Sequence, residues 1–242
     1  GGGLLGRSFS EVYSEDEFDV GERVVSPFLW SLGLRRIDRL VLTHAHHDHM
    51  AGLRTVINNF PVEELWIGKN PLIPEYVGLL KAALRKGVFI RTFCQGETTR
   101  FANGTFEFLN PERNAEIGPT PKNNDSLAFR LRYGERSFLL TGDIEQKIED
   151  HLIASKLDIK ADVLKVGHHG SRTSTSPEFL SRVQPVWALI SVAAHSPFGH
   201  PHPQTIQCLA EHRVQSFRTD EDGAITLTTD GRNLEICLYT EK

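Results

Sequence analysis

His44-Ala45-His46-His47-Asp48-His49 places four of the chain's eleven histidines within six positions, interleaved with one carboxylate. The preceding Asp38-Arg39-Leu40-Val41-Leu42-Thr43 carries a continuous apolar run between polar residues and reads as a short buried strand. Met50-Ala51-Gly52-Leu53-Arg54-Thr55-Val56-Ile57 reads as the start of a helix. The cluster therefore sits where a strand gives way to a helix, the place where α/β folds put their chemistry. Neutral imidazoles and a carboxylate are the ligands that borderline divalent ions such as zinc prefer. Residues i and i+2 of an extended strand end point the same way, so His44 and His46 can grip one ion together. Asp48 and His49, on the turn into the helix, are then directed at a second ion. A purification tag would be terminal and uninterrupted, and a chance surface run would not follow a buried strand.

The 242 residues suffice for one large domain or two small ones, and 39% hydrophobic with 24% charged residues is an ordinary globular composition. No linker or internal repeat stands out, so residues 1–242 read as a single domain. No apolar run is long enough to span a bilayer, and no charged-then-apolar signal segment opens the chain. It reads as soluble by itself, in a form that a larger membrane protein can carry. Cys94, Cys208 and Cys237 make neither a CxxC pattern nor a disulfide frame and are expected to be buried free thiols. A net charge of −4 argues against a surface coated with nucleic-acid-binding cations. A polyanionic substrate then requires local positive charge, part of it from bound ions. Lys81, Arg85, Lys86, Arg91 and Arg100 cluster in sequence, but a solvated helix face and loop edge is the stronger reading.

Strands and helices alternate along the chain. Strands are expected at Leu65–Gly68, Val88–Phe93, Thr105–Leu109, Asp162–Val166, Val186–Val192, Ala224–Thr229 and Leu234–Tyr239, with a hairpin of Ser126–Tyr133 and Ser137–Thr141. Helices are expected from Pro74 to about Lys86, over Glu145–Leu157 with Ile148, Leu152, Ile153 and Leu157 on one face, and at Pro177–Val183 and Pro203–His212. Helices mixed through two sets of strands suggest an α/β sandwich, with sheets packed on each other and helices outside. The first twenty-five residues, with Gly1-Gly2-Gly3 and acidic Glu11, Glu15, Asp16 and Glu17, read as loop.

Three later segments also place metal-binding groups just past an apolar strand. In Phe138-Leu139-Leu140-Thr141-Gly142-Asp143, the carboxylate is placed to bridge two ions. Alone it would read as a helix cap; beside the 44–49 cluster it reads as a ligand. In Val163-Leu164-Lys165-Val166-Gly167-His168-His169-Gly170-Ser171, glycines let the backbone turn tightly around an ion. One histidine of the pair ligates and the other supports it or faces substrate, with a slight preference for His168 as ligand. In His195-Ser196-Pro197-Phe198-Gly199-His200-Pro201-His202, His200 is the best ligand candidate, while His195 and His202 read as ordinary loop residues.

The pattern His44-x-His46-x-Asp48-His49 resembles that of the metallo-β-lactamase-fold hydrolases, whose αββα sandwich agrees with the alternating elements. Further blocks resemble the metallo-β-lactamase domain of the ComEC competence proteins, bacterial DNA-uptake channels. They are residues 18–25, Leu42-Thr43-His44, Asn123-Asn124-Asp125-Ser126-Leu127, Leu139–Asp143, Leu164–Ser171 and Gly199-His200-Pro201-His202. The resemblance runs over essentially the whole chain. It implies two divalent ions, Mn²⁺ or Zn²⁺, and no small-molecule cofactor. One ion falls to His44, His46, Asp143 and His168 or His169, the other to Asp48, His49, Asp143 and His200. Asp48, Asp143 and His169 are the implied catalytic residues. Asn123, Asn124, Ser171, Arg172 and Thr173 are placed to hydrogen-bond phosphate, although capping of the helix after Pro177 explains the Ser171–Ser176 stretch about as well. The implied activity is phosphodiester hydrolysis of one strand of incoming DNA by hydroxide that the two ions activate. The implied setting is a soluble domain on the extracytoplasmic face of the bacterial membrane, attached to the transmembrane channel portion of the same polypeptide. Rival expectations are hydrolysis of another ester, as by phosphorylcholine esterases or lactonases, and a metal-stabilised DNA-binding module without turnover. The chain departs from the pattern twice. The usual opening strand pair, with an Asp-Val-Gly-Gln-Gly-Asp-like motif and a later Asp-Gly-Gly, is reduced to Gly1-Gly2-Gly3, so the first sheet is expected to be incomplete. The usual histidine between the cluster and Asp143 is missing too, since none occurs between His49 and His151.

Overall fold

In the computed structural model, which describes residues 18–239, the apolar run ahead of the histidines forms a strand that stops just before them. The expectations for Gly1-Gly2-Gly3 and the acidic residues up to Glu17 lie outside the described residues. Two compact units share the chain. One comprises the chain up to Phe93 together with Ala115–Asp125, and the other comprises Cys94–Asn114 together with everything from Ser126 on.

The first unit begins with a π-helical turn at Gly21–Val25 that runs into α1 (Ser26–Ser31), where the sequence reading expected loop through residue 25. Two local features set this turn. Asp19 Oδ1 accepts the Glu22 N–H at 3.1 Å, and Gly21 packs so closely on Gly52 that a Cβ would lie 2.3 Å from its carbonyl oxygen. Then come β1 (Ile37–Leu42), α2 (His47–Met50), α3 (Leu53–Asn59), β2 (Val62–Ile67), α4 (Pro74–Arg85) and β3 (Phe89–Thr92). The strands form a parallel sheet in the order β1-β2-β3, with Leu42 opposite Ile67. Tyr76, Leu79, Ala82 and Ala83 give α4 one buried face, which joins Leu42, Ile57 and Leu65 in this unit's core.

The second unit contains β4 (Thr98–Phe101), β5 (Gly104–Asn110), β6 (Ala128–Tyr133), β7 (Arg136–Leu140), α5 (Gln146–Ala154), β8 (Val163–Lys165), α6 (Pro177–Val183), β9 (Trp187–Ile190), α7 (Pro203–Glu211), β10 (Gln215–Arg218), α8 (Thr219–Asp222), and the hairpin β11 (Ala224–Thr229) with β12 (Leu234–Tyr239). Seven strands form one sheet in the order β10-β9-β8-β7-β6-β5-β4. β4 and β10, which the sequence reading missed, are its two edges. Edge strands carry polar side chains that break the apolar pattern, as Thr98-Thr99-Arg100-Phe101 and Gln215-Ser216-Phe217-Arg218 do. From β7 to β10 the pairing is parallel, with Leu140 opposite Lys165 and Lys165 opposite Leu189. The segments after β7, β8 and β9 therefore leave from one end of the sheet, the usual position for function in parallel sheets.

All three thiols are free, but only Cys94 is buried; Cys208 is half-buried and Cys237 is exposed. Cys237 lies on the hairpin β11–β12, which forms a two-stranded sheet of its own. No described helix is long and apolar enough to cross a membrane.

Behind the loop that follows β8, Glu149 of α5 is only 1% exposed. Its carboxylate accepts the backbone N–H of Thr175 and, at 2.9 Å, that of Ser176. Burial pushes its pKa above the ordinary glutamate value, against the pull of these two hydrogen bonds. A raised carboxyl pKa contributes stability that is complete below the unfolded value, roughly 4.3, and is lost as pH rises through the folded value. Wild-type stability relative to Glu149→Gln, from urea denaturation, should therefore fall as pH is raised upward from about 4. A difference that is flat or rises with pH would contradict this. Leu164, fully buried in β8, anchors the same sheet; Leu164→Ala should cost roughly 2–5 kcal/mol in the same measurement.

Candidate metal centre

At the end of β1, Thr43, His44, His46 and His49 pack their polar atoms together. His44 is fully buried, and its ring lies 4.5 Å from that of His46 and 4.3 Å from that of His49. Its Nε2 faces Nδ1 of His46 at 2.9 Å. Nε2 of His46 lies 3.1 Å from the Pro121 carbonyl, which can only accept. His46 thus carries its proton on Nε2 and turns a lone pair on Nδ1 toward His44. Thr43 Oγ1 lies 3.2 Å from Nδ1 of His44 and 3.1 Å from Nδ1 of His49. A hydroxyl oxygen has two lone pairs, so this oxygen can accept from both rings. Such outer partners set tautomer and orientation in metal-binding histidines. Two nitrogens on one tetrahedral zinc would stand about 3.3 Å apart, so a separation of 2.9 Å needs only a slight opening. The pair fits an ion. Asp48 Oδ2 lies 3.5 Å from Nε2 of His49, while His47 opens α2.

Asp125 closes the short 3-10 turn Asn123–Asp125 in the same unit. Its buried carboxylate accepts the Lys122 N–H at 2.9 Å. Burial pushes its pKa up, while its own hydrogen bond, Lys122 and His46 pull it down.

In the second unit, Asp143 follows β7 and is 2% exposed. It is no helix cap: Glu145 holds that position on α5, and Ser126 Oγ accepts the Asp143 N–H at 2.9 Å. Lys165 Nζ lies 3.5 Å from Asp143 Oδ1 and donates to the Gly142 carbonyl at 2.9 Å. Between Gly167 and Gly170, His168 and His169 both adopt left-handed backbone, with φ 45° and 54°. Such angles are uncommon outside glycine and gather at functional sites. Gly170 cannot be replaced without strain, since a Cβ would meet Pro201 at 2.7 Å. His169 Nδ1 donates to the Ser191 carbonyl at 2.7 Å. In the neutral ring Nε2 therefore presents a lone pair to Asp143 Oδ2, 3.4 Å away. Two acceptors in this position call for a cation between them, either a metal ion or the proton of an imidazolium. His168 turns elsewhere: Nδ1 lies 3.4 Å from Glu145 Oε1, and its ring is 5.4 Å from that of His200.

Nδ1 of His200 is buried with no hydrogen-bond partner among the described residues. Burial, reinforced by His168 and His169, lowers its pKa and favours the neutral, ligating form. His202 caps α7 by accepting the Gln204 N–H, and His195 is exposed. Ser171 Oγ bonds to Thr173 Oγ1 at 3.0 Å, and Thr173 Oγ1 donates to Glu145 at 2.8 Å. Arg172 is exposed, and Ser176 alone caps α6. The sequence reading gave no role to Thr43, Pro121, Asp125, Glu145 or Lys165. Of these, Lys165 carried a signal, a cation inside an otherwise apolar strand.

A model of the metallo-beta-lactamase superfamily matches residues 11–195. ComE operon protein 3 of Bacillus subtilis (strain 168) is 38% identical over 227 residues, covering 93% of this chain and 29% of that protein. Recombination protein 2 of Haemophilus influenzae is 31% identical, covering 90% of this chain and 25% of that protein. Competence protein ComA of Neisseria gonorrhoeae is 30% identical, covering 83% and 26%. These relatives bear out the ComEC resemblance, and the chain spans only 25–29% of their length. Among solved structures, CmlA, a diiron beta-hydroxylase from Streptomyces venezuelae, superposes with a TM-score of 0.53 at 16% identity, over 76% of this chain and 44% of that one. That likeness concerns the fold alone. With its histidine motif, mixed sheets and a family match over most of its length, the chain belongs to the metallo-β-lactamase superfamily.

Proposed function

We propose that this chain is a metal-dependent nuclease domain that degrades one strand of DNA during uptake. Residues 1–242 act as one hydrolase domain on the extracytoplasmic face of a bacterial membrane, joined to a channel portion of the same polypeptide. The observation that carries the metal part is the facing of His44 Nε2 and His46 Nδ1 at 2.9 Å, with the Thr43 hydroxyl and the Pro121 carbonyl at their other ring nitrogens. The DNA part rests on the competence and recombination names of relatives that match most of this chain.

Two Mn²⁺ or Zn²⁺ ions would lower the pKa of a shared water and offset the charge that develops on a phosphodiester. His44 and His46 would hold one ion and Asp48 and His49 the other, with the Asp143 carboxylate adding to the ligand set. His169 ligates beside Asp143, and His200 completes the set. His168, turned to Glu145, supports the ligands from outside. Lys165 holds the Asp143 carboxylate in place through the Gly142 carbonyl. Asn123, Asn124 and Arg172 orient the phosphate, and Ser171 with Thr173 shape the loop that presents Arg172.

Labelled single-stranded DNA should be cut by the metal-loaded protein, and Asp143→Ala or His49→Ala should slow the cut by at least about a hundredfold, beyond what loss of an outer partner costs. Intact DNA with both Mn²⁺ and Zn²⁺, alongside hydrolysis of a lactone or choline ester, would overturn the reading. Thr43→Val, which keeps the side chain's size, should lower metal affinity roughly 10- to 100-fold in a competitive chelator titration, with an unchanged melting temperature. Unchanged affinity would show that Thr43 sets no tautomer.

A further inference from the structure

The loop that carries Arg172 also lines a hollow whose lining includes neither Asp143 nor His168, His169 or His200. It lies between the start of α5, this loop and α7, is polar and measures about 300 Å³, the lower end of the range for small-ligand sites. Most polar groups around it are already engaged, but four are not. The Arg172 guanidinium, the side-chain amides of Gln146 and Gln204, and the Thr175 hydroxyl make no hydrogen bond or ion pair among the described residues. Glu211, the one carboxylate in the lining, is held by Gln207 at 2.8 Å.

Thr175 is the most telling of the four. It is 3% exposed, and its Oγ1 is buried without a partner, which costs stability. Its φ of 64° is a genuine outlier for a β-branched side chain. The Glu149 carboxylate holds it there through the Thr175 and Ser176 N–H groups. A strained residue with an unsatisfied hydroxyl, braced by a buried carboxylate, is the kind of cost that persists at functional positions.

We infer that this hollow is a nucleotide subsite, taking one unpaired base and its phosphate from a single-stranded nucleic acid. Its description as a subsite for DNA rests on the nuclease reading above. Primary amides offer a donor and an acceptor side by side, the pattern that a base's Watson–Crick edge complements, and the hydroxyl adds one of either kind. Arg172 at the exposed rim meets the phosphate. With no aromatic side chain in the lining, the base is held by hydrogen bonds rather than by stacking.

The test uses the whole chain in EDTA, so that metals play no part, with a fluorescent ten-nucleotide oligothymidine and an abasic strand of equal length. Wild type should bind oligothymidine at least tenfold more tightly than the abasic strand. Gln204→Ala and Thr175→Val should erase most of that preference, and Arg172→Ala should weaken both strands. Thr175→Val should also melt at a higher temperature than wild type, since it removes an unsatisfied hydroxyl and keeps the β-branch. Equal affinity for the two strands, or variants that keep the preference, would overturn the inference; so would a lowered melting temperature for Thr175→Val, which would mean a structural partner. If the loaded protein leaves DNA intact while the pocket variants still lose the preference, the nuclease reading fails and the subsite stands. If DNA is cut with no such preference, the nuclease reading stands and the subsite fails.

Discussion

A buried imidazole has two nitrogens that need partners, and fixing one decides what the other can do. That constraint organises the chemistry of this chain. The Pro121 carbonyl accepts a hydrogen bond from His46 Nε2–H, and the Ser191 carbonyl accepts one from His169 Nδ1–H. Each ring is left with one lone pair, that of His46 facing His44 Nε2 and that of His169 facing Asp143 Oδ2. His44, fully buried with the Thr43 hydroxyl beside its Nδ1, completes the first pair. His200 keeps a buried nitrogen without a hydrogen-bond partner among the described residues, and its surroundings favour the neutral ring.

The backbone that delivers these groups bears its own cost. His168, His169 and Thr175 all adopt left-handed backbone, which L side chains rarely take. What holds them is the parallel run of β7, β8 and β9, whose buried residues fix where each loop leaves the sheet, together with the Glu149 carboxylate clamping the loop from behind. Stability in the second unit's core is thus turned into position at the ends of its strands.

Much of this was legible in the sequence. Every strand with an apolar run was found, because burial on one or both faces writes itself into the period of hydrophobic residues. β4 and β10 escaped because polar residues interrupt their apolar pattern, and the helical turn at Gly21–Val25 because it is set by Asp19 and by contact with Gly52. Clustered histidines past strand ends marked the candidate ligand segments. The choice within the His168–His169 pair was not legible, since it depends on backbone angles that turn His169 toward Asp143 and His168 toward Glu145. Thr43 and Pro121 were equally hidden, because one acts through its side chain and the other through its carbonyl on rings that only the fold brings near.

The central claim, that of the proposed function, is that the chain holds a pair of divalent ions. Electron paramagnetic resonance of the Mn²⁺-loaded chain, with metal content measured on the same sample, tests it most directly. The account predicts two ions per chain and a spectrum of exchange-coupled manganese. One ion per chain, or two with uncoupled six-line signals, would contradict it.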